Sequence, residues 1–135
     1  MTTTTTIEPN VKEFLDNPFV ATVTTLRADG SPHTTVVWTE SGSDEVWFNT
    51  AHGRAKARHI EADPRVSLTV VDPVNSYRWV SITGRAELVD DGADDQIDRL
   101  AKKYLGKDEY PYRTAEEKRV SVRIVPEQVE AIGIE

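Results

Sequence analysis

From Phe19 to Leu26 the chain is rich in β-branched residues and alternates weakly between apolar and polar, which predicts a strand. Ala28-Asp29-Gly30 follows; Asp-Gly is a strong hairpin dipeptide, so His33 to Thr39 reads as the returning strand. Ser41-Gly42-Ser43-Asp44 marks a second turn, and Glu45 to Thr50 a third strand with Val46 and Phe48 on one face and Trp47 and Asn49 on the other. Val66 to Val71 is a fourth strand, and Tyr77 to Val89 a long fifth, with Gly84 marking a bulge or a close backbone approach. Val120 to Val125 and Val129 to Ile134 form the last strand, interrupted at Pro126.

Helical spacing occurs in three places. Val11, Phe14 and Leu15 lie at i, i+3 and i+4, which predicts a short helix over 9–16 with Pro9 in its first turn. Gly53 to Ala62 is helix-prone and stops at Asp63-Pro64, where proline disfavours helix in the residue before it. Ile97, Leu100, Ala101 and Tyr104 fall at i, i+3, i+4 and i+7. Asp90, Asp91, Asp94 and Asp95 crowd that helix's start, Lys102 and Lys103 its end, and Gly106 can cap it. Residues 107–118 are polar and read as a loop. About six strands in hairpins, with short helices, predict a mainly β protein: a small closed or nearly closed barrel. No repeat or linker interrupts residues 1–135, so one domain is expected, with residues 1–8 a flexible or extended lead.

The balance of 38% hydrophobic and 29% charged residues is that of a globular chain. Sixteen Lys and Arg against 23 Asp and Glu give a net charge of −7, which disfavours nucleic-acid binding driven by phosphate neutralisation. There is no cysteine, so disulfides, thiolate metal sites and a cysteine nucleophile are excluded. No apolar run approaches the ~20 residues of a membrane helix, and the N-terminal threonines do not form a signal peptide. A cytoplasmic protein is expected. There is no Gly-x-Ser-x-Gly, no His-Glu-x-x-His, no Gly-x-Gly-x-x-Gly and no P-loop. No residue stands out as a general acid or base, which suits chemistry carried by a cofactor.

Two segments hold the candidate chemistry. Asn49-Thr50-Ala51-His52-Gly53-Arg54-Ala55-Lys56-Ala57-Arg58-His59 concentrates three permanent cations where a strand ends and a helix begins. The helix dipole repels cations in a first turn, a conflict relieved by an anion placed among them. Arg54 is then a bidentate phosphate donor and Lys56 a point charge, with Arg58 one turn further on. A solvated helix face paired with surface carboxylates fits the same residues. The second segment is Asp72-Pro73-Val74-Asn75-Ser76-Tyr77-Arg78-Trp79. Tyr77 and Trp79 share one strand face with Arg78 on the other, suiting a ring ligand or a dimer seam as well as a core plug with a surface arginine.

The two segments, in this order and spacing, resemble the pyridoxamine 5′-phosphate oxidase-like split-barrel flavin and deazaflavin proteins. The likeness runs through Phe19-Val20-Ala21-Thr22-Val23 and Asp29-Gly30-Ser31-Pro32, then Val46-Trp47-Phe48-Asn49-Thr50 into Arg54-Ala55-Lys56-Ala57-Arg58. It continues in Ile60-Glu61-Ala62-Asp63-Pro64-Arg65-Val66 and from Asp72-Pro73 to Gly84. Within that group the sequence is similar to the deazaflavin (coenzyme F420)-dependent reductases. The resemblance implies a six-stranded split β-barrel of the FMN-binding type, built as a homodimer with two cofactor sites at the interface. It implies a ring along Thr35, Val36, Val37, Trp38, Asn49 and Thr50, and a phosphate at Arg54 and Lys56, with Ala57 and Arg58 also expected among the cofactor-binding residues. The segment at Tyr77, Arg78 and Trp79 would come from the other subunit. The activity implied is hydride transfer from reduced F420 to a small electron-poor substrate. An FMN-dependent oxidoreductase and a non-catalytic flavin or deazaflavin binder on the same barrel are the alternatives.

Overall fold

The computed structural model describes residues 2–134; Met1 and Glu135 lie outside the described residues. Six long strands are β2 (Ala21–Leu26), β3 (Pro32–Val37), β5 (Val46–Ala51), β6 (Arg65–Val71), β7 (Trp79–Val89) and β8 (Arg119–Ile132). Two short ones join them, β1 (Thr2–Thr4) and β4 (Glu40–Ser41). The helices are α1 (Pro9–Leu15), α2 (Ala55–Ala62) and α3 (Ala93–Leu105). All strand pairs are antiparallel, in the order β3-β2-β6-β7-β8-β5-β4, with β1 beside β8. The expected six strands are therefore present, and two short strands extend the sheet. The threonine lead is extended, not loose, at Thr2–Thr4, which pairs with Val129–Ala131.

Strand alternation builds the core. Val23, Leu68, Val70, Val80, Ile82, Phe48, Val122 and Ile124 face inward, and α1 adds Val11, Phe14 and Leu15. Each such side chain contributes about 1.5–3 kcal/mol on burial. Pro126 does not end β8. The strand runs through it on a register shift opposite Thr83 and Gly84. Gly84 is required there: a Cβ would stand 2.1 Å from the Val125 carbonyl oxygen. At the β2–β3 turn Gly30 takes φ 86°, and Asp29 accepts from the Ser31 N–H at 2.9 Å and the Ser31 hydroxyl at 2.6 Å. Strand β7 begins at Trp79, so Tyr77 lies in the preceding turn and does not share a strand face with Trp79.

The sheet does not close on itself among the described residues. Strand β3 has a strand partner on one side only, β2. Strand β4 covers β5 only at Val46 and Trp47, leaving the edge from Asn49 to Ala51 without a strand partner on that side. These two free edges, at opposite ends of the strand order, line one groove.

Candidate functional site

The groove encloses about 230 Å³. Val36, Val37 and Trp38 form one wall, and Asn49 and Thr50 the facing edge. Arg54 and Lys56 stand at the start of α2, Ile97 and Leu100 come from α3, and Tyr110, Tyr112 and Arg119 complete the lining. No carboxylate or histidine belongs to this lining among the described residues.

The basic end follows from how α2 begins. Arg54 is its N-cap, in extended conformation, with no side-chain cap and no acidic residue in the first turn. The leading N–H groups of a helix have no intrahelical acceptors, so this end is set up for an anion. Its position is fixed by His59, whose Nδ1 hydrogen-bonds the buried Thr25 hydroxyl at 2.8 Å and whose ring meets His33 edge-on at 5.1 Å. Lys56 is half-buried and has no ion-pair partner among the described residues. Burial lowers its pKa below the ordinary lysine value, and Arg54 adds to the effect. Arg54 pairs with Glu117, which also accepts from Arg119 at 2.7 Å.

Arg119 is the most enclosed cation of the groove, with its side chain 4% exposed. Beyond Glu117 it reaches the Asn49 Oδ1 at 3.5 Å, and its guanidinium lies 4.9 Å from the centre of the Tyr110 ring. Its Nε is buried without a hydrogen-bond partner, as is the Thr50 hydroxyl. Buried polar atoms are nearly always paired, so two orphans lining one groove favour a polar ligand there. Three lining cations against the carboxylate of Glu117 leave the groove positive in a chain of net charge −7.

The aromatic wall is held from behind. Trp38 stacks on Tyr104 at 5.2 Å with 7° between the planes, and Tyr110 meets Trp38 edge-on at 6.2 Å. The Tyr104 hydroxyl donates to the Phe19 carbonyl at 2.8 Å and accepts from the Thr39 N–H at 3.0 Å. Lys103 donates to the carbonyls of Leu15 (2.8 Å) and Thr39 (2.7 Å); burial lowers its pKa to about 8, against the pull of Asp16 and Glu40. The segment bearing Tyr110 is tied to α3 by the Tyr110 N–H on Asp98 (2.9 Å) and by Arg113 on Asp94 (2.8 Å) and Asp98 (2.7 Å).

Of the residues singled out from sequence, Val36, Val37, Trp38, Asn49, Thr50, Arg54 and Lys56 meet in the groove. Asn49 is committed: its Nδ2 donates to the Ala93 carbonyl (2.9 Å) and to Gln96 (3.0 Å). Thr35, Ala57 and Arg58 lie nearby but outside the lining; Ala57 packs inward, and Arg58 turns back to the Gly53 carbonyl. Tyr77, Arg78 and Trp79 are not in this chain's groove. Arg78 pairs with Asp72 at 2.5 Å, donates to the Gly133 carbonyl at 3.3 Å and lies over the Phe14 ring at 5.2 Å, whereas Tyr77 is 82% exposed. The sequence reading missed Ile97, Leu100, Tyr110, Tyr112 and Arg119 as site residues. The available signals were Tyr110-Pro111-Tyr112 in an otherwise polar stretch and an arginine opening an apolar strand.

A curled antiparallel sheet with a groove between its free edges, basic at a helix start and aromatic along the wall, defines a split-barrel protein. The chain belongs to the pyridoxamine 5′-phosphate oxidase family, which matches residues 7–133. It is 37% identical over 91 residues to an F420H(2)-dependent biliverdin reductase of Mycobacterium tuberculosis, an alignment spanning 66% of this chain and 64% of that protein. The solved structure of an F420 reductase superposes with a TM-score of 0.77 at 26% identity, covering 88% of this chain and 94% of that one. A conserved hypothetical protein from Mycobacterium tuberculosis superposes with a TM-score of 0.74 at 28% identity, covering 93% of this chain and 83% of that one. Among the described residues no helix is long and apolar enough to cross a membrane.

Proposed function

We propose that this chain is an F420-dependent oxidoreductase acting as a homodimer on a small electron-poor substrate. The observation that carries the reading is the groove itself: a half-buried Lys56 without a partner among the described residues, and two orphaned buried polar atoms, at Arg119 and Thr50, lie beside an aromatic wall. The names of the relatives support the deazaflavin.

Lys56 and Arg54, with the open start of α2, hold the cofactor's phosphate. The free backbone edges at Val36–Val37 and Asn49–Thr50 would offer polar groups to the cofactor's ring, so side-chain identity there would matter less than the edge. Trp38, Ile97 and Leu100 exclude water from the ring, and Tyr110 and Tyr112 present the surface on which a flat substrate stacks. When bound, the reduced deazaflavin supplies the hydride. Among the described residues the groove lining offers no carboxylate or imidazole for acid–base work, consistent with protein residues that bind and orient.

A single chain's groove of about 230 Å³ falls below the roughly 300–1,000 Å³ usual for cofactor-sized ligands. A second copy completes it in this reading. Val36 is 63% exposed at the groove's rim, and the exposed Tyr77 projects from the turn before β7, where it is available to a neighbouring groove.

The test is titration of the purified protein with F420 and, separately, with FMN, followed by ligand fluorescence, together with its mass in solution. Tight F420 and weak FMN binding to a dimer supports the proposal. The reverse preference moves the chain to the flavin enzymes that the family name describes, and binding of neither removes the redox reading.

A further inference from the structure

The groove contains a conflict that cofactor binding alone does not explain. The Arg54 guanidinium, one of the two cations at the start of α2, is already engaged by Glu117. Glu117 is mostly buried and places one carboxylate oxygen on Arg54 and the other on Arg119. It does not line the groove, although both of its partners do. Lys56, on the same helical turn as Arg54, has no such partner among the described residues.

We propose that Glu117 is an internal competitor for the ligand's anion, making anion binding an exchange and setting a charge threshold that a phosphoryl group passes and a single carboxylate does not. The inference rests on the groove being the anion site of the proposed function. An incoming group gains the full charge of Lys56 but meets an Arg54 whose charge is compensated. A carboxylate offers Arg54 nothing that Glu117 does not already give, and it must also be desolvated. A phosphate monoester carries about −1.5 to −2 at pH 7 with three acceptor oxygens, so it engages Lys56 and takes Arg54 together. Displaced from Arg54, Glu117 keeps its bond to Arg119, so the buried guanidinium stays compensated and Arg54 alone is released. The groove can thus be strongly basic yet discriminating in a cell rich in carboxylates.

The test uses the full chain and two probes, inorganic phosphate and acetate, with binding read by calorimetry and by the shift in Tm. Glu117→Gln keeps the side-chain size and one acceptor oxygen but removes the charge and turns the other acceptor into a donor, so it can serve only one of the two guanidiniums. It is expected to bind phosphate about fivefold tighter than the native chain, equivalent to about 1 kcal/mol. Acetate is expected to leave the native Tm unchanged and to raise that of the variant. Glu117→Asp, which keeps the charge but is too short to span both guanidiniums, should fall between the two, and it serves if the Gln variant does not fold. Weaker or unchanged phosphate binding in folded variants overturns the proposal, because a clamp that merely shapes the site loses affinity when broken. If the native chain binds neither F420 nor FMN, the proposed function falls; the phosphate comparison still decides the role of Glu117.

Discussion

Two charged clusters of this chain are built in opposite ways. In the turn from Asp72 to Arg78 the charges are answered within the turn and its immediate neighbours. The Asp72 carboxylate accepts from the N–H groups of Val74 (2.8 Å) and Asn75 (3.1 Å) and from Arg78. Its pKa is lowered, first by the Val74 N–H and then by Asn75 and Arg78, against the effect of burial. In the groove, Lys56 lacks a partner among the described residues, the Arg119 Nε and the Thr50 hydroxyl are orphaned, and two guanidiniums share one carboxylate. The first cluster is a strut that makes a loop rigid. The second leaves charged and polar groups unanswered by folding, the kind of arrangement expected where a ligand completes a site.

The contrast can be broken at several points. The largest effect is expected at Arg119, which serves both fold and groove. Arg119→Met leaves Glu117 half-compensated and removes the contact with the Tyr110 ring, lowering stability by about 3 kcal/mol in urea denaturation. A loss well under 1 kcal/mol would mean that its charge is not structurally required. Lys56→Ala should weaken F420 binding by about 1.5–3 kcal/mol while leaving the Tm of the free chain unchanged, since no intrachain partner is lost. An unchanged affinity would take the phosphate from Lys56.

Asp72→Asn should act mainly on stability, lowering Tm by about 2–5 °C, with a loss of F420 affinity well below that of Lys56→Ala. Because the folded Asp72 pKa lies below its unfolded value, its contribution is present at neutral pH and is lost as pH falls through the folded pKa. The Tm difference between the native chain and Asp72→Asn should therefore shrink in strong acid. The smallest effect is a slope. Lys56 in the free chain has a lowered pKa, and a bound phosphate would raise it again, so binding takes up protons on the alkaline side. F420 affinity should fall as pH rises, beginning below the ordinary lysine range, and the slope should vanish in Lys56→Ala.

Much of the scaffold was legible from local pattern. Alternation marked the six long strands, the Asp29-Gly30 hairpin held, and Gly84 marked the close approach to Val125. The Ile97, Leu100 and Ala101 stripe marked the buried face of α3. Residues 36–38 of the groove came only from the family resemblance, whereas its basic part, residues 49–56, was legible because a strand end feeding cations into a first helical turn breaks a local rule. Tyr110, Tyr112 and Arg119 were not, since their segment has no period and their role depends on what Asp94 and Asp98 of α3 tie down.

By itself the sequence determined the strands, the helices, the sites of the turns and the presence of a basic cluster at a helix start, because propensity, period and dipole act over a few residues. Tertiary structure decided where that cluster points and what surrounds it. Strand order brings the free edge of β3 to the free edge of β5 across about a dozen residues of chain, and α3 with the segment after it closes over the gap. Which charges are left unanswered was settled there too. Asp72 found its partner Arg78 six residues on, whereas Glu117 reaches Arg54 only because the start of β8 pairs with the end of β5, far away in sequence. Charge compensation between distant residues is a property of the folded surface and leaves no period in the chain.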